Sequence, residues 1–192
     1  MSVSTGGGQH GLFDLAPAGF VHGPDFISGT EEAELLAHAQ ALPFKPFAFH
    51  GWLGKRETVS FGWRYDFNDA TMHAAPPIPE FLLPLRERAA IFARLPPDNL
   101  EQASVIRYDA GAGIGWHRDR PVFDKVVGVS LLTPCILRFR RREARGFARF
   151  AFDAQPRSAY LLSGEIRHDW EHSIAPMKAL RFSITFRSRS CS

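Results

Sequence analysis

The amino-acid sequence predicts a mainly β, α+β fold in which two N-terminal helices buttress a C-terminal β-sandwich or double-sheet jelly roll. Three observations carry this. From Ala103 onward, eight short strand-like runs follow one another between Gly/Pro turns, with no helical period. Before Pro96, two stretches open with helix-start chemistry. The 192 residues, 45% hydrophobic and 22% charged, suit one domain, which at that size buries roughly 70% of its unfolded surface and needs no disulfide or structural metal. The chain therefore reads as a tail over 1–12 and one domain over 13–192, with its β core at about 103–188.

Residues 1–12 are rich in Gly and Ser and predict a flexible tail. Ser28-Gly-Thr-Glu31 has the S-x-x-E form of a capping box and opens a helix over about 30–41, with Leu35, Leu36, Ala39 and Leu42 on one stripe. The aromatic stretch from Phe44 to Phe67 predicts strand–turn–strand, with strands at 47–49 and 59–61 around a turn at Gly51 to Gly54. Pro76-Pro77-Ile78-Pro79 starts a second helix that reaches about Leu95 and is kinked or split by Pro84. Strands follow at 103–108, 114–117, 126–132, 135–140, 147–152, 159–163, 170–174 and 179–187.

Charge and cysteine content exclude more than they name. Lys plus Arg number 23 against 20 acidic residues, a net +3, too mild to identify a partner. Only Lys45, Lys55, Lys125 and Lys178 are lysines; the rest are arginines, whose planar fork suits carboxylates, phosphates and aromatic faces. No run of about 18 apolar residues exists, so no membrane-spanning helix is expected. The opening residues lack the charged and apolar regions of a signal peptide, and Cys135 and Cys191 read as free thiols. A cytoplasmic protein with no membrane and no obligate protein partner is expected.

The last strand, Leu180 to Arg187, alternates with period 2. Leu180, Phe182, Ile184 and Phe186 take one face; Arg181, Ser183, Thr185 and Arg187 take the other. In a sandwich of otherwise apolar strands, two arginines flanking two hydroxyls predict a lining for an anion. Their Cα atoms lie roughly 20 Å apart on a strand, so one small dicarboxylate meets both if the side chains lean inward. His117 and Asp119, two apart after glycines 111, 113 and 115, point the same way on a strand and can share a metal. One more imidazole would complete the two-histidine, one-carboxylate facial triad with open positions. Of the remaining histidines, His172 enters a strand beside the arginine strand. His168 lies nearer the turn at Gly164, and His10, His22, His38, His50 and His73 lie in tail, helix or loop sequence.

The order Tyr108 … His117-x-Asp119 … His172 … Arg181-x-Ser-x-Thr-x-Arg187 resembles the AlkB-like Fe(II)/2-oxoglutarate-dependent dioxygenases. Residues 56–67, RETVSFGWRYDF, are similar to that family's substrate-recognition region, and the likeness covers about 45–188. The resemblance implies a double-stranded β-helix with His117, Asp119 and His172 holding Fe(II). It implies Tyr108 and Arg181 on the distal carboxylate of 2-oxoglutarate, with Ser183 between the arginines and Arg187 beside the end that chelates iron. It also implies O2 as co-reactant and succinate, CO2 and, from N-methyl groups, formaldehyde as products. The pattern departs at Ser183 and Ile106, where the family carries asparagines, and at Arg120-Pro-Val, where DNA-repair members carry acidic residues.

For substrate, Trp63, Tyr65, Trp52 and Phe61 around Arg56 and Arg64 suit a stacked base. Arg120 and Arg118 flank the metal motif, and six arginines between Arg138 and Arg149 suit a phosphate track. Methylated nucleic acid, RNA or DNA, is the leading expectation. A protein or small-molecule hydroxylase is the second, and a non-catalytic RNA-binding module the third.

Overall fold

A computed structural model describes residues 16–49, 52–66 and 69–190, without the side chains of 48–49 and 52–53. The expected tail, His10, His50, Cys191 and the Trp52 side chain lie outside these residues. The chain runs β1 (Phe20–Gly23), α1 (Gly29–Gln40), β2 (Lys45–Phe49), β3 (Trp52–Phe61), β4 (Trp63–Asp66), β5 (Thr71–Ala74) and α2 (Leu83–Ala93). It continues with β6 (Gln102–Tyr108), β7 (Ile114–His117), β8 (Phe123–Leu131), β9 (Cys135–Arg142), β10 (Phe147–Ala154) and β11 (Ala159–Leu162). The last elements are α3 (Gly164–His168), β12 (Glu171–Ile174) and β13 (Arg181–Arg189).

Two antiparallel sheets face each other as a jelly roll. The major sheet has the order β1-β11-β8-β13-β6-β3-β2, the minor sheet β10-β9-β12-β7, and β4-β5 form a separate hairpin. Alternation decides which residues go where. Phe182, Ile184 and Phe186 of β13 join Val105, Val127, Val129 and Leu131 under α1 and α2, in a core with Leu35, Leu85 and Ala89. The opposite face of β13 looks into the sandwich, where a second core gathers Tyr108, Leu137, Phe139, Tyr160 and Ile174.

The capping box forms as predicted: Ser28 Oγ accepts from Glu31 N, and Glu31 accepts from Ser28 N. Pro84 splits the second helix as expected, taking a first-turn position of α2 behind a 3-10 turn at Glu80–Leu82. Two expectations are corrected. Residues 52–61 form one continuous strand through Gly54, where a turn was expected. The β series is interrupted by α3, which begins at Gly164 with φ +54°. Among the described residues no helix is long and apolar enough to cross a membrane.

Candidate metal centre

His117 ends β7 and His172 sits on β12, directly opposite it in the antiparallel ladder. Cross-strand partners share a face, so both imidazoles enter the sandwich with ring centres 4.2 Å apart. The strands approach closely because residue 113 is glycine; a Cβ there would come 2.8 Å from Ile174 O. Asp119 lies just past the end of β7 and completes the group: ligand atoms of His117, Asp119 and His172 all fall within 4.8 Å of one another.

Each atom is already oriented. His117 Nδ1 meets Gly115 O at 2.9 Å; a carbonyl only accepts, so this nitrogen donates and Nε2 keeps its lone pair. That Nε2 lies 3.5 Å from Asp119 Oδ1, and His172 Nε2 lies 3.9 Å from the same oxygen. Adjacent ligands of an octahedral ion at about 2.1 Å are about 3 Å apart, so the trio needs only a small contraction to close on one. The other oxygen, Oδ2, accepts from Arg187 Nε at 3.1 Å, while Arg187 Nη1 donates to Gln102 Oε1 and Thr185 Oγ1, both at 2.9 Å. Burial pulls the Asp119 carboxyl upward, but Arg187 and the two imidazoles outweigh it and hold it well below the usual carboxylate range. Burial and the facing His117 push His172 down to about 3, leaving it neutral and able to ligate at neutral pH.

Arg167 went unnoticed in the sequence. From α3 it is 97% buried (3% exposed) and donates to the carbonyls of Asp119, Arg120 and Phe123, fixing the segment that carries the carboxylate ligand. Its partners are backbone atoms more than 40 residues away, so no local pattern announces it.

The polar row of β13 lines the interior as expected. Arg181 is 1% exposed, pairs across the sheet with Tyr108, and donates from Nη2 to Ser130 Oγ at 3.0 Å. Its Nε and Nη1 are buried and meet no hydrogen-bond partner among the described residues. A buried guanidinium with open donors is costly unless an anion meets it, so the chamber fits a carboxylate at this end. Burial keeps the Tyr108 phenol above its ordinary pKa despite nearby Arg181, so it remains a donor. Ser183 is buried beside both.

A cavity of about 590 Å³ opens in front of the triad. Its walls include Arg56, Tyr65, His117, Asp119, Arg120 and Arg187, with the Arg120 guanidinium 5.0 Å from the Tyr65 ring and the Arg56 guanidinium 3.7 Å from the Phe47 ring. Gln102, Ser104, Trp116 and Phe123 also line it and were not foreseen. Trp63 does not; its ring lies under Arg189 at 5.0 Å. Arg64 pairs with Asp66 at 3.0 Å. The arginine run is not one track, since strand alternation divides it between two faces. Arg141 turns to Glu165 at 2.5 Å, whereas Arg140 bonds Glu171 at 2.6 Å and stacks on Trp116 and Phe147.

Residues 19–187 match the profile of the 2OG-Fe(II) oxygenase superfamily. An Arabidopsis thaliana protein described as an alkylated DNA repair protein ALKBH8 homolog is 31% identical over 177 residues, 79% of this chain and 49% of that one. The chain thus spans about half the length of that relative. Among solved structures, OsALKBH1 superposes with a TM-score of 0.66 at 17% identity, covering 89% of this chain and 97% of the other. A Pseudomonas putida prolyl-4-hydroxylase gives 0.65 at 15% identity over 92% and 96%. At these identities the two structures speak to the fold.

Proposed function

The chain belongs to the 2OG-Fe(II) oxygenase superfamily as an AlkB-like member, and we propose that it oxidatively demethylates alkylated nucleic acid, RNA or DNA. In this reading residues 13–192 act as one dioxygenase domain, and the buried free thiol of Cys135 suits the reducing cytoplasm. His117, Asp119 and His172 hold Fe(II). Arg181 and Tyr108 bind the distal carboxylate of 2-oxoglutarate, Ser183 supports them, and Arg187 orients Asp119 beside the chelating end. Bound there, Fe(II) with 2-oxoglutarate and O2 supplies the oxidant for C–H hydroxylation, releasing succinate and CO2; a hydroxylated N-methyl group leaves as formaldehyde.

One observation carries the substrate class: the cavity in front of the triad is ringed by Arg56, Arg118 and Arg120 and has Tyr65 as an aromatic wall. Arg118 and Arg120, beside the metal motif, neutralise phosphates while the phenol ring stacks a base presented to the metal side. Its volume lies within the usual range of about 300–1,000 Å³ for small-molecule sites. The test is succinate release from 2-oxoglutarate with Fe(II), with and without methylated single strands at two salt concentrations. Methylated strands should stimulate release, and log affinity should fall with log salt at about −0.7 per neutralised phosphate. Tyr65→Ala should cost about 1–3 kcal/mol of strand binding, independent of sequence. A flat salt response with unchanged binding in Tyr65→Ala would move the substrate to a protein or small molecule.

A further inference from the structure

The outer face of the minor sheet carries charge to which nothing above gives a role. On β9, Arg138, Arg140 and Arg142 alternate with the core positions Leu137 and Phe139, about 7 Å apart along the strand. Arg149 of β10 stands directly opposite Arg140, and Phe147 opposite Arg142. On β7, Trp116 alternates with the inward His117. Two rings hold the guanidiniums in place. Arg138 and Arg140 lie 5.4 and 4.4 Å from the Trp116 ring; Arg140, Arg142 and Arg149 lie 4.7, 5.2 and 5.9 Å from the Phe147 ring. Such packing fixes long side chains before an anion arrives, so less rotamer freedom is lost on binding.

Few acidic groups balance this row. Glu171 bonds Arg140, and Asp153, at the far end opposite Ile136, accepts from Gln155. Glu143 and Glu165 turn to Arg141 instead. Among the described residues Arg138, Arg142 and Arg149 pair with no carboxylate. Elsewhere on the surface, Arg86, Arg88, Arg107, Arg157 and Arg189 each meet one.

We infer that this face is a second nucleic-acid contact, holding the phosphates of the strand that flanks the nucleotide in the cavity. It rests on the reading that nucleic acid is the substrate. Continuity carries it. Trp116 lines the cavity in front of the triad and is also the ring on which the arginine row begins. A strand leaving the cavity past Trp116 therefore runs onto Arg138 and Arg140, and then to Arg142 and Arg149. From β7 to β10 is three strand spacings, about 14 Å, the length of about four stacked nucleotides at about 3.4 Å each. Phosphate contacts carry no sequence information, so the face adds affinity without narrowing the choice of target.

Binding of fluorescein-labelled oligothymidylates to the full chain tests this, with a strand of about four nucleotides that reaches only the cavity and one of about fifteen that also covers the face. Wild type should bind the longer strand at least about tenfold more tightly at low salt. In Arg142→Gln/Arg149→Gln most of that gain should vanish, and log affinity should fall less steeply with log salt, by about 0.7 for each of the two lost phosphate contacts. The shorter strand should stay within about twofold of wild type. Arg94→Gln/Arg157→Gln removes the same charge beside α2 and α1 and should leave the length gain intact. No length gain in wild type, a gain that survives Arg142→Gln/Arg149→Gln, or an equal loss in Arg94→Gln/Arg157→Gln overturns the surface and leaves the cavity reading standing. Wild type that binds neither strand overturns the nucleic-acid reading itself. An oligoglutamate of the same charge that binds as tightly as the longer strand, and is released by the same two substitutions, would assign the face to an acidic protein and overturn the inference.

Discussion

Asp119 gives one oxygen to the two imidazoles and the other to Arg187, and the two are not interchangeable. Asp119→Asn keeps the shape but removes the charge that both a divalent ion and Arg187 face. Metal affinity, read as bound Fe(II) or Mn(II) after dialysis, should fall by at least about 100-fold, while the thermal midpoint of the metal-free protein shifts far less. The trio was legible because His-x-Asp and one later strand histidine are short patterns with strand period. Trp63 was misplaced for the opposite reason. An aromatic beside arginine looks the same in sequence whether it lines a cavity or, as here, packs under Arg189. Arg167 had no signal, because what defines it is backbone brought close by the fold: the carbonyls of Asp119, Arg120 and Phe123.

At the scale of elements, α1 shows how a terminus is joined to its neighbour. Glu31 closes the capping box and also accepts from Arg88 Nη2 at 2.6 Å, linking α1 to α2. Arg88 first, then the Ser28 backbone, hold its carboxyl down at about 2. Because the folded pKa is depressed, this stabilisation is full above the unfolded value near 4.5 and is lost as pH falls toward 2. Glu31→Gln should lower stability at pH 7 by about 1 kcal/mol, an amount limited by solvent screening of a side chain 39% exposed. The gap between variant and wild type in urea midpoints should close on acidification between those values. All eight C-terminal strands were readable to within a few residues, since apolar alternation and Gly/Pro turns mark them locally. Strand β1 was not; it has four residues, and its partner β11 lies some 140 positions later. The β4–β5 hairpin escaped because it belongs to neither main sheet, so its outward faces lack the apolar period that a core imposes.

For the whole molecule, β1 does more than extend an edge. Phe20 leaves the major sheet and meets Phe139, Phe150 and Phe152 of the minor sheet, edge to face at 6.0, 5.1 and 5.1 Å. It holds the sandwich together on the side away from the cavity. Phe20→Ala should cost about 2–4 kcal/mol, seen as a lower urea midpoint with an unchanged m-value. A different consequence follows from the position of β13 as the central strand of the major sheet. Without residues 181–189 that sheet is two disconnected pieces, β1-β11-β8 and β6-β3-β2, each with an apolar face bared to water. Synthesis proceeds at about 5–20 residues per second, and pairings between distant segments are slow to form. During translation the two pieces wait for a strand that emerges after everything it joins. A nascent chain stalled before residue 181 already contains His117, Asp119 and His172, yet it lacks Arg187, which holds the Asp119 carboxylate, and the strand that joins the two halves of the sheet facing them.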